Sequence, residues 1–318
     1  MEKLTKRKIL ITGGAGFIGA NFVYKFLALG YSVIIFEKEG IDLWRLEKLK
    51  KKIEIHFTDL TKYDAVEKLV KKIKPQIVLH FATYGAYQRT QQDTDLTINT
   101  NLKGTINLVN ACQKVGVECF INTGSNSEYG IKTKTMKETD LPEPDNLYAI
   151  TKLATTAYCQ MMARKFDFPV AIVRPFAVYG PFEEKERLIP SIMVSLIKNK
   201  DIKLSSPNSV RDFIFIDDLI DGYLSIIKNI KKVKGEVFNL GSGRQFSIRQ
   251  VVTMAKKITR SNSVPHYGQI KKAQTESTIW LADISKAKKM LGWKPKYNLE
   301  KGLKKDIAWF KENLSDYE

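Results

Sequence analysis

Cysteine and histidine are scarce in this chain, with three of each in 318 residues. Cys112, Cys119 and Cys159 form an odd set with no CxxC pair and no histidine cluster beside them, so neither a disulfide framework nor a zinc site is indicated, and no metal is expected. They read as small buried hydrophobes. Long apolar runs are missing too: none approaches the roughly 18 residues that span a bilayer. Met1 to Lys8 leads into a strand-like segment without the apolar core of a signal peptide, which points to a cytoplasmic protein with no membrane partner. Acidic residues are outnumbered, 34 against 52 basic ones, for a formal net charge of +18. The excess is spread along the chain, with local runs at 48–52 and 231–234 and no interleaved aromatics, so nucleic acid is not an expected partner. A solvated lysine-rich surface accounts for it, and its positive field favours an anionic small molecule.

What is present is a rhythm. Strand-like runs at 8–12, 32–37, 53–57, 76–81, 119–123 and 170–174 alternate with helical patterns at 17–29, 61–73, 96–115 and 146–166, the third stopping at Gly116. Such strand–helix–strand units in series build a parallel sheet, so the fold class is α/β, a doubly wound parallel sheet. After Pro175 the pattern loosens around Tyr179-Gly180-Pro181, Ser205-Ser206-Pro207 and Gly241-Ser242-Gly243, the turn signals of a smaller C-terminal domain. The expected division is a nucleotide-binding domain over 1–175 and a mainly substrate-binding domain over 176–318. Within 211–240, the strands Phe213 to Ile216 and Val237 to Leu240 and the helix Asp217 to Ile227 are expected to return to the main sheet. A ligand would then lie in a cleft between two lobes.

Behind the first strand, Gly13-Gly14-Ala15-Gly16-Phe17-Ile18-Gly19 places Gly13, Gly16 and Gly19 at intervals of three. Bare positions there allow a tight turn, close approach of backbone to a pyrophosphate, and an anion on the helix N-terminus. Glu37 follows about twenty residues on, at the end of the second strand, where a carboxylate accepts from an adenosine ribose and repels a 2′-phosphate. This combination marks a dinucleotide site and favours NAD; Lys38 and Arg45 nearby leave NADP possible. Gly13, Gly16, Phe17, Ile18 and Glu37 are therefore candidate cofactor residues. Asp59 and Leu60 after the third strand, and Phe81 and Ala82 after the fourth, join them as loop positions, with helix capping as the alternative for Asp59.

In Tyr148-Ala149-Ile150-Thr151-Lys152 the tyrosine and lysine are four apart on one helical face, the geometry of an acid–base pair. Lowering a tyrosine pKa from 10 by about 3 units takes roughly 4 kcal/mol, which an adjacent ammonium and a cationic nicotinamide can supply. At this point the chain as a whole resembles the extended short-chain dehydrogenase/reductase family of nucleotide-sugar epimerases, dehydratases and reductases, whose sheet is of the Rossmann type. The resemblance rests on the glycine run, Asp59-Leu60, Asn101 in Asn101-Leu102-Lys103-Gly104-Thr105, and Ser125 before Tyr129-Gly130. It extends through Tyr148 to Lys152, Arg174-Pro175, Arg211-Asp212-Phe213 and Leu281-Ala282-Asp283. It implies that Ser125, Tyr148 and Lys152 are catalytic, that Asn101, Tyr148 and Lys152 also meet the cofactor, and that Ser125 bonds the reacting sugar hydroxyl. Dehydratases of this family carry an Asp-Glu pair immediately after the Ser/Thr; here those places hold Asn126 and Ser127, which cannot shuttle protons as carboxylates do.

The resemblance also assigns Arg211 to the diphosphate of a nucleotide sugar, a task suited to a forked guanidinium. A second family arginine is absent, and Lys272 is its expected stand-in. Tyr84, Asn126, Ser127 and Arg187 complete the expected substrate contacts, with Arg89 and Glu183 as further candidates; Ala177 stands where many relatives have Asn. The expected reaction is 4-epimerisation of an NDP-hexose through a 4-keto intermediate. The alternatives are an NAD(P)H-dependent reductase of an NDP-4-keto-6-deoxyhexose, suggested by a likeness to CDP-paratose and CDP-abequose synthases, and a non-catalytic dinucleotide-binding protein. A homodimer through the helices at 96–115 and 146–166 is expected from the family.

Overall fold

The structure is a computed structural model that describes residues 7–86, 93–270 and 279–317. The first half alternates β1 (Lys8–Thr12), α1 (Phe17–Ala28), β2 (Ser32–Glu37), β3 (Glu54–Phe57), α2 (Tyr63–Ile73), β4 (Ile77–His80), α3 (Thr94–Ile98), α4 (Gly104–Val115), β5 (Cys119–Thr123), α5 (Leu147–Phe166) and β6 (Val170–Pro175). There follow β7 (Ala177–Tyr179), α6 (Leu188–Ile197), β8 (Ile202–Lys203), β9 (Val210–Phe215), α7 (Ile216–Asn229), β10 (Val237–Leu240), β11 (Gln245–Ser247), α8 (Ile248–Thr259), β12 (Pro265–His266), α9 (Ser285–Leu291) and α10 (Leu299–Glu312). Seven strands form the main sheet in the order β10-β6-β5-β4-β1-β2-β3. The order reverses between β1 and β4, both parallel to each other and to their outer neighbours β2 and β5. That is the Rossmann arrangement, with the switch point at the carboxyl ends of β1 and β4.

Near-continuous apolar runs such as Val33–Phe36 and Ile9–Ile11 are buried on both faces of this sheet, as helix-covered parallel strands require. One core cluster joins Leu10, Ile34, Val78 and Phe120 to Val66 and Val70 of α2 and to Leu108 and Cys112 of α4. All three cysteines are free and buried.

Two expectations are corrected. The helix expected over 96–115 is three pieces, α3, a π-helical turn at Asn99–Lys103, and α4. The backbone stays right-handed at Ile98 and Gly104, so the chain remains helical through the widened turn. The strand expected at 213–216 does not return to the main sheet: β9 pairs parallel with β7 and antiparallel with β11 in a separate three-stranded sheet, whereas β10 does return and α7 from Tyr223 onward packs with unit 1. An apolar run carries no label for the sheet it joins, and the Gly241–Gly243 turn folds β11 back onto β9.

The chain divides into two compact units. Unit 1 comprises 1–128, 142–174 and 223–238; unit 2 comprises 129–141, 175–222 and 239–318. No helix among the described residues is long and apolar enough to cross a membrane.

Candidate active site

In unit 1 the glycine run caps β1. Gly13 has φ +70°, and a Cβ there would sit 2.7 Å from the Ala82 nitrogen, so both its conformation and its neighbour require glycine. Ala82 N in turn donates to Thr12 Oγ1 at 3.3 Å, which draws the loop after β4 against the loop after β1. Exposed Gly16 is the N-cap of α1 and supplies no capping side chain, and the half-buried Phe17 and Ile18 open the helix. The first turn of α1 therefore offers backbone N–H groups to an anion.

Glu37 is buried at the end of β2, where its carboxylate accepts from Ala15 N at 2.6 Å. Burial pushes its pKa up to about 7, against that one lowering hydrogen bond. Arg45 donates to the carbonyl of the same Ala15 at 3.3 Å and lies over the Trp44 ring. Asp59, three residues before Lys62, the N-cap of α2, accepts from Thr61 N at 2.9 Å, so it shapes the approach to that helix and is not its cap. Leu60 belongs to the core and packs beside Gly104. Phe81 stacks with Phe22 and Tyr223, ring centroids 4.7 and 5.5 Å away. These two side chains line structure; only their backbones remain for a ligand.

Asn101 occupies the π-helical turn and spends its side chain on the protein. Its Oδ1 accepts from Thr83 Oγ1 and Tyr84 N, and its Nδ2 donates to Tyr84 O and Thr151 Oγ1. It ties the Tyr84 loop to α5, one residue before Lys152. A buried chain from Thr12 through His80 to Thr105 lies behind it, with His80 held neutral by burial, its pKa pushed down to about 3.

Lys152 reaches the end of β5, beside the loop that carries Ser125. Asn146 caps α5, accepting from Ala149 N at 3.0 Å, and so sets the phase of the helix that carries Tyr148 and Lys152. Lys152 Nζ lies 5.7 Å from the centre of the Tyr148 ring and donates to Thr123 O at 2.9 Å, two residues before Ser125. Burial lowers the Lys152 pKa to about 8. Ser125 Oγ accepts from both the hydroxyl and the N–H of Ser127, at 2.7 and 3.1 Å, which leaves its own proton to donate elsewhere. Asn126 is buried, and its Nδ2 has no hydrogen-bond partner among the described residues.

Glu128 was absent from the expected site. Fully buried, it accepts from Ser125 N at 2.8 Å, Thr156 Oγ1 at 3.0 Å, and two nitrogens of Arg174 at 2.9 and 2.8 Å. A Cβ on Gly124 would come within 2.3 Å of its Oε1. The signal was in the sequence, as a glycine four residues before a carboxylate and an arginine at the end of the next strand, yet each residue type alone is commonplace.

Unit 2 holds a cavity of about 230 Å³ lined by Glu183, Arg187, Arg211, Ser205, Ser209 and apolar groups from β7, α6, β9 and α8. It brings together Arg187 and Arg211 of the expected substrate set. Arg211 donates to Val210 O at 2.6 Å and lies 5.0 Å over the Trp280 ring. Asp212 is buried in a ring of backbone donors, Ser242 N, Gly243 N and Ala282 N. Glu183, also buried, bonds Arg187 Nε at 3.4 Å, and burial pushes its pKa up to about 8. Lys272 and Arg89 lie outside the described residues.

Comparison with known proteins places this geometry in context. Residues 9–241 match the model of the NAD dependent epimerase/dehydratase family. The chain is similar to the UDP-glucuronate 4-epimerase of Thermodesulfobacterium geofontis, at 29% identity over 96% of both chains. It is as similar to the human dTDP-D-glucose 4,6-dehydratase, at 29% identity over 98% of this chain and 92% of that one. Among solved structures, the UDP-glucuronic acid 4-epimerase of Bacillus cereus, in complex with UDP-glucuronic acid and NAD, superposes with a TM-score of 0.86 at 28% identity, covering 96% of this chain and 99% of that one.

Proposed function

Because the chain belongs to the NAD dependent epimerase/dehydratase family, we propose that it is an NAD-dependent 4-epimerase of a nucleotide-diphosphate hexose. The residues fit the cofactor: the Gly13–Gly16 turn and the uncapped start of α1 would hold a pyrophosphate, and the Glu37 carboxylate would accept from a ribose hydroxyl. When bound, NAD supplies the hydride acceptor and donor that the sugar carbon needs. Ser125, its oxygen already accepting from Ser127, donates a hydrogen bond to the sugar oxygen and keeps its proton. Tyr148 takes up and returns the proton of the reacting hydroxyl, and the Lys152 ammonium beside its ring stabilises the phenolate form. The two arginines of the unit 2 cavity suit a diphosphate.

The observation that carries epimerisation over dehydration is the state of Glu128. It is the one carboxylate between Ser125 and Tyr129, and Arg174 engages it in a buried fork. With Asn126 and Ser127 in the two preceding places, this loop holds no acid–base pair to eliminate water. The Gly241-Ser242-Gly243 turn has a structural use in seating Asp212, so it needs no role in reducing a keto sugar. Exposed Ile98 on α3 and Ile150 on α5 support a homodimer through these helices, to be tested by sedimentation.

Mass identification of the nucleotide released from the denatured protein, followed by assay on UDP- and dTDP-hexoses, tests the reading. Near-stoichiometric NAD with interconversion of 4-epimers is the expected result; Tyr148→Phe should retain the nucleotide and lower turnover by about 10²–10⁴. An empty site that takes up NADPH and reduces a 4-keto sugar would replace the epimerase with the reductase.

A further inference from the structure

Asp212 is completely buried in unit 2, and four donors converge on it. Its Oδ1 accepts from Ser242 N and Ser242 Oγ, both at 2.6 Å, and its Oδ2 accepts from Gly243 N and Ala282 N, both at 3.1 Å. Glycine at 241 is required for this, since a Cβ there would sit 2.7 Å from Oδ2 and from the Ala282 side chain. One carboxylate thus joins three segments: β9, the turn into β11, and the stretch from Trp280 to Ala282. Arg211 is the preceding residue of β9, and its guanidinium lies over Trp280, the ring delivered by the third of those segments.

From this juxtaposition we infer that Asp212 is a positioning residue, which fixes the Arg211–Trp280 stack and so presents the arginine to an anionic ligand in the unit 2 cavity. The ligand half of the inference rests on the proposed nucleotide-sugar reading; the stack does not. Neighbours in a strand point to opposite faces, so Asp212 acts on Arg211 through the backbone of β9 and through Trp280, without touching the ligand itself. Asparagine at 212 keeps the volume but turns one acceptor oxygen into an NH₂ that faces donors, and the clamp opens.

The test is a double-mutant cycle on the full chain with Arg211→Ala and Asp212→Asn, read by UDP affinity and by Trp280 emission, taken as the difference from Trp280→Phe. Asp212→Asn is expected to weaken UDP about tenfold and to change Trp280 emission as Arg211→Ala does, and to add nothing in the Arg211→Ala background. Ser242→Ala, which removes one donor and leaves the fold intact, should show the same pattern at about twofold to threefold. Equal losses in the two backgrounds would overturn the inference, because a merely structural role does not depend on Arg211. Should neither UDP nor dTDP bind the parent protein, the nucleotide-sugar reading fails, and the emission cycle alone still decides whether Asp212 holds the stack.

Discussion

Glu128 of unit 1 and Asp306 of unit 2 are both wholly buried carboxyl groups, and their surroundings are opposite. Glu128 receives hydrogen bonds from Ser125, Thr156 and Arg174. Neither oxygen of Asp306 has a hydrogen-bond partner among the described residues, and burial raises its pKa well above the usual value. A buried charge is retained where donors converge on it; where they do not, the proton stays on. Unit 1 therefore holds an ion pair behind its catalytic loop, and unit 2 holds a buried acid whose charge, once formed, raises Glu183 of the cavity lining beyond the effect of burial.

The sharpest way to break this contrast is to remove the Arg174 side of the pair. Arg174→Met leaves Glu128 buried without its cation, and should cost about 3–5 kcal/mol of unfolding free energy in a denaturant titration. A loss below about 1 kcal/mol would mean that Glu128 is not held as an ion. Thr156→Val removes one neutral donor from the same carboxylate, and about 1.5–3 kcal/mol should go, with turnover falling because the Ser125 loop loosens.

Asp306→Leu should act in the other direction, adding about 1–3 kcal/mol at neutral pH, since it replaces an unsatisfied polar group by an apolar one. The pH dependence fixes the sign. Asp306 and Glu183 hold their protons in the folded protein to higher pH than in the unfolded chain, where a Glu titrates near 4.5. The unfolded state then releases protons first, and the stability these groups contribute at low pH is lost as pH rises from about 4 through the Glu183 value of about 8. Asp306→Leu should flatten that decline; an unchanged slope would place the titration elsewhere.

The same contrast explains what was legible in the sequence. β1, β2 and β5 have the expected limits because apolar runs bounded by turn residues are a local signal. The glycine run, Glu37 and the Tyr148/Lys152 pair could be proposed from the sequence because each rests on a local spacing or on an offset within one strand–helix–strand unit. Glu128 and Asp212 were not, because their meaning lies in donors 46 and 30 residues away, at Arg174 and Ser242. Asn101 was assigned to the cofactor, whereas its side chain clamps the Tyr84 loop to α5, and the π turn that aims it has no sequence signature. β9 was misplaced for a related reason: its partner β11 is declared only by the turn between β10 and β11.

Glu37 stands between the extremes, and it gives the smallest predicted effect. Among the described residues its carboxyl has one backbone donor, Ala15 N, and its pKa of about 7 leaves it part protonated at neutral pH. A ribose hydroxyl donates to a carboxylate more strongly than to a carboxylic acid, so the affinity for NAD should climb as pH rises from 6 to 8, by up to about tenfold. Binding should in turn favour the charged form and release a fraction of a proton, seen in calorimetry as a buffer-dependent heat. Glu37→Gln carries no charge at any pH, so its affinity should be flat over this range and near that of the parent at pH 6. If Glu37→Gln keeps the slope of the parent protein, the carboxyl does not meet the ribose, and the contrast between donor-rich and donor-poor carboxylates does not extend to the cofactor end of unit 1.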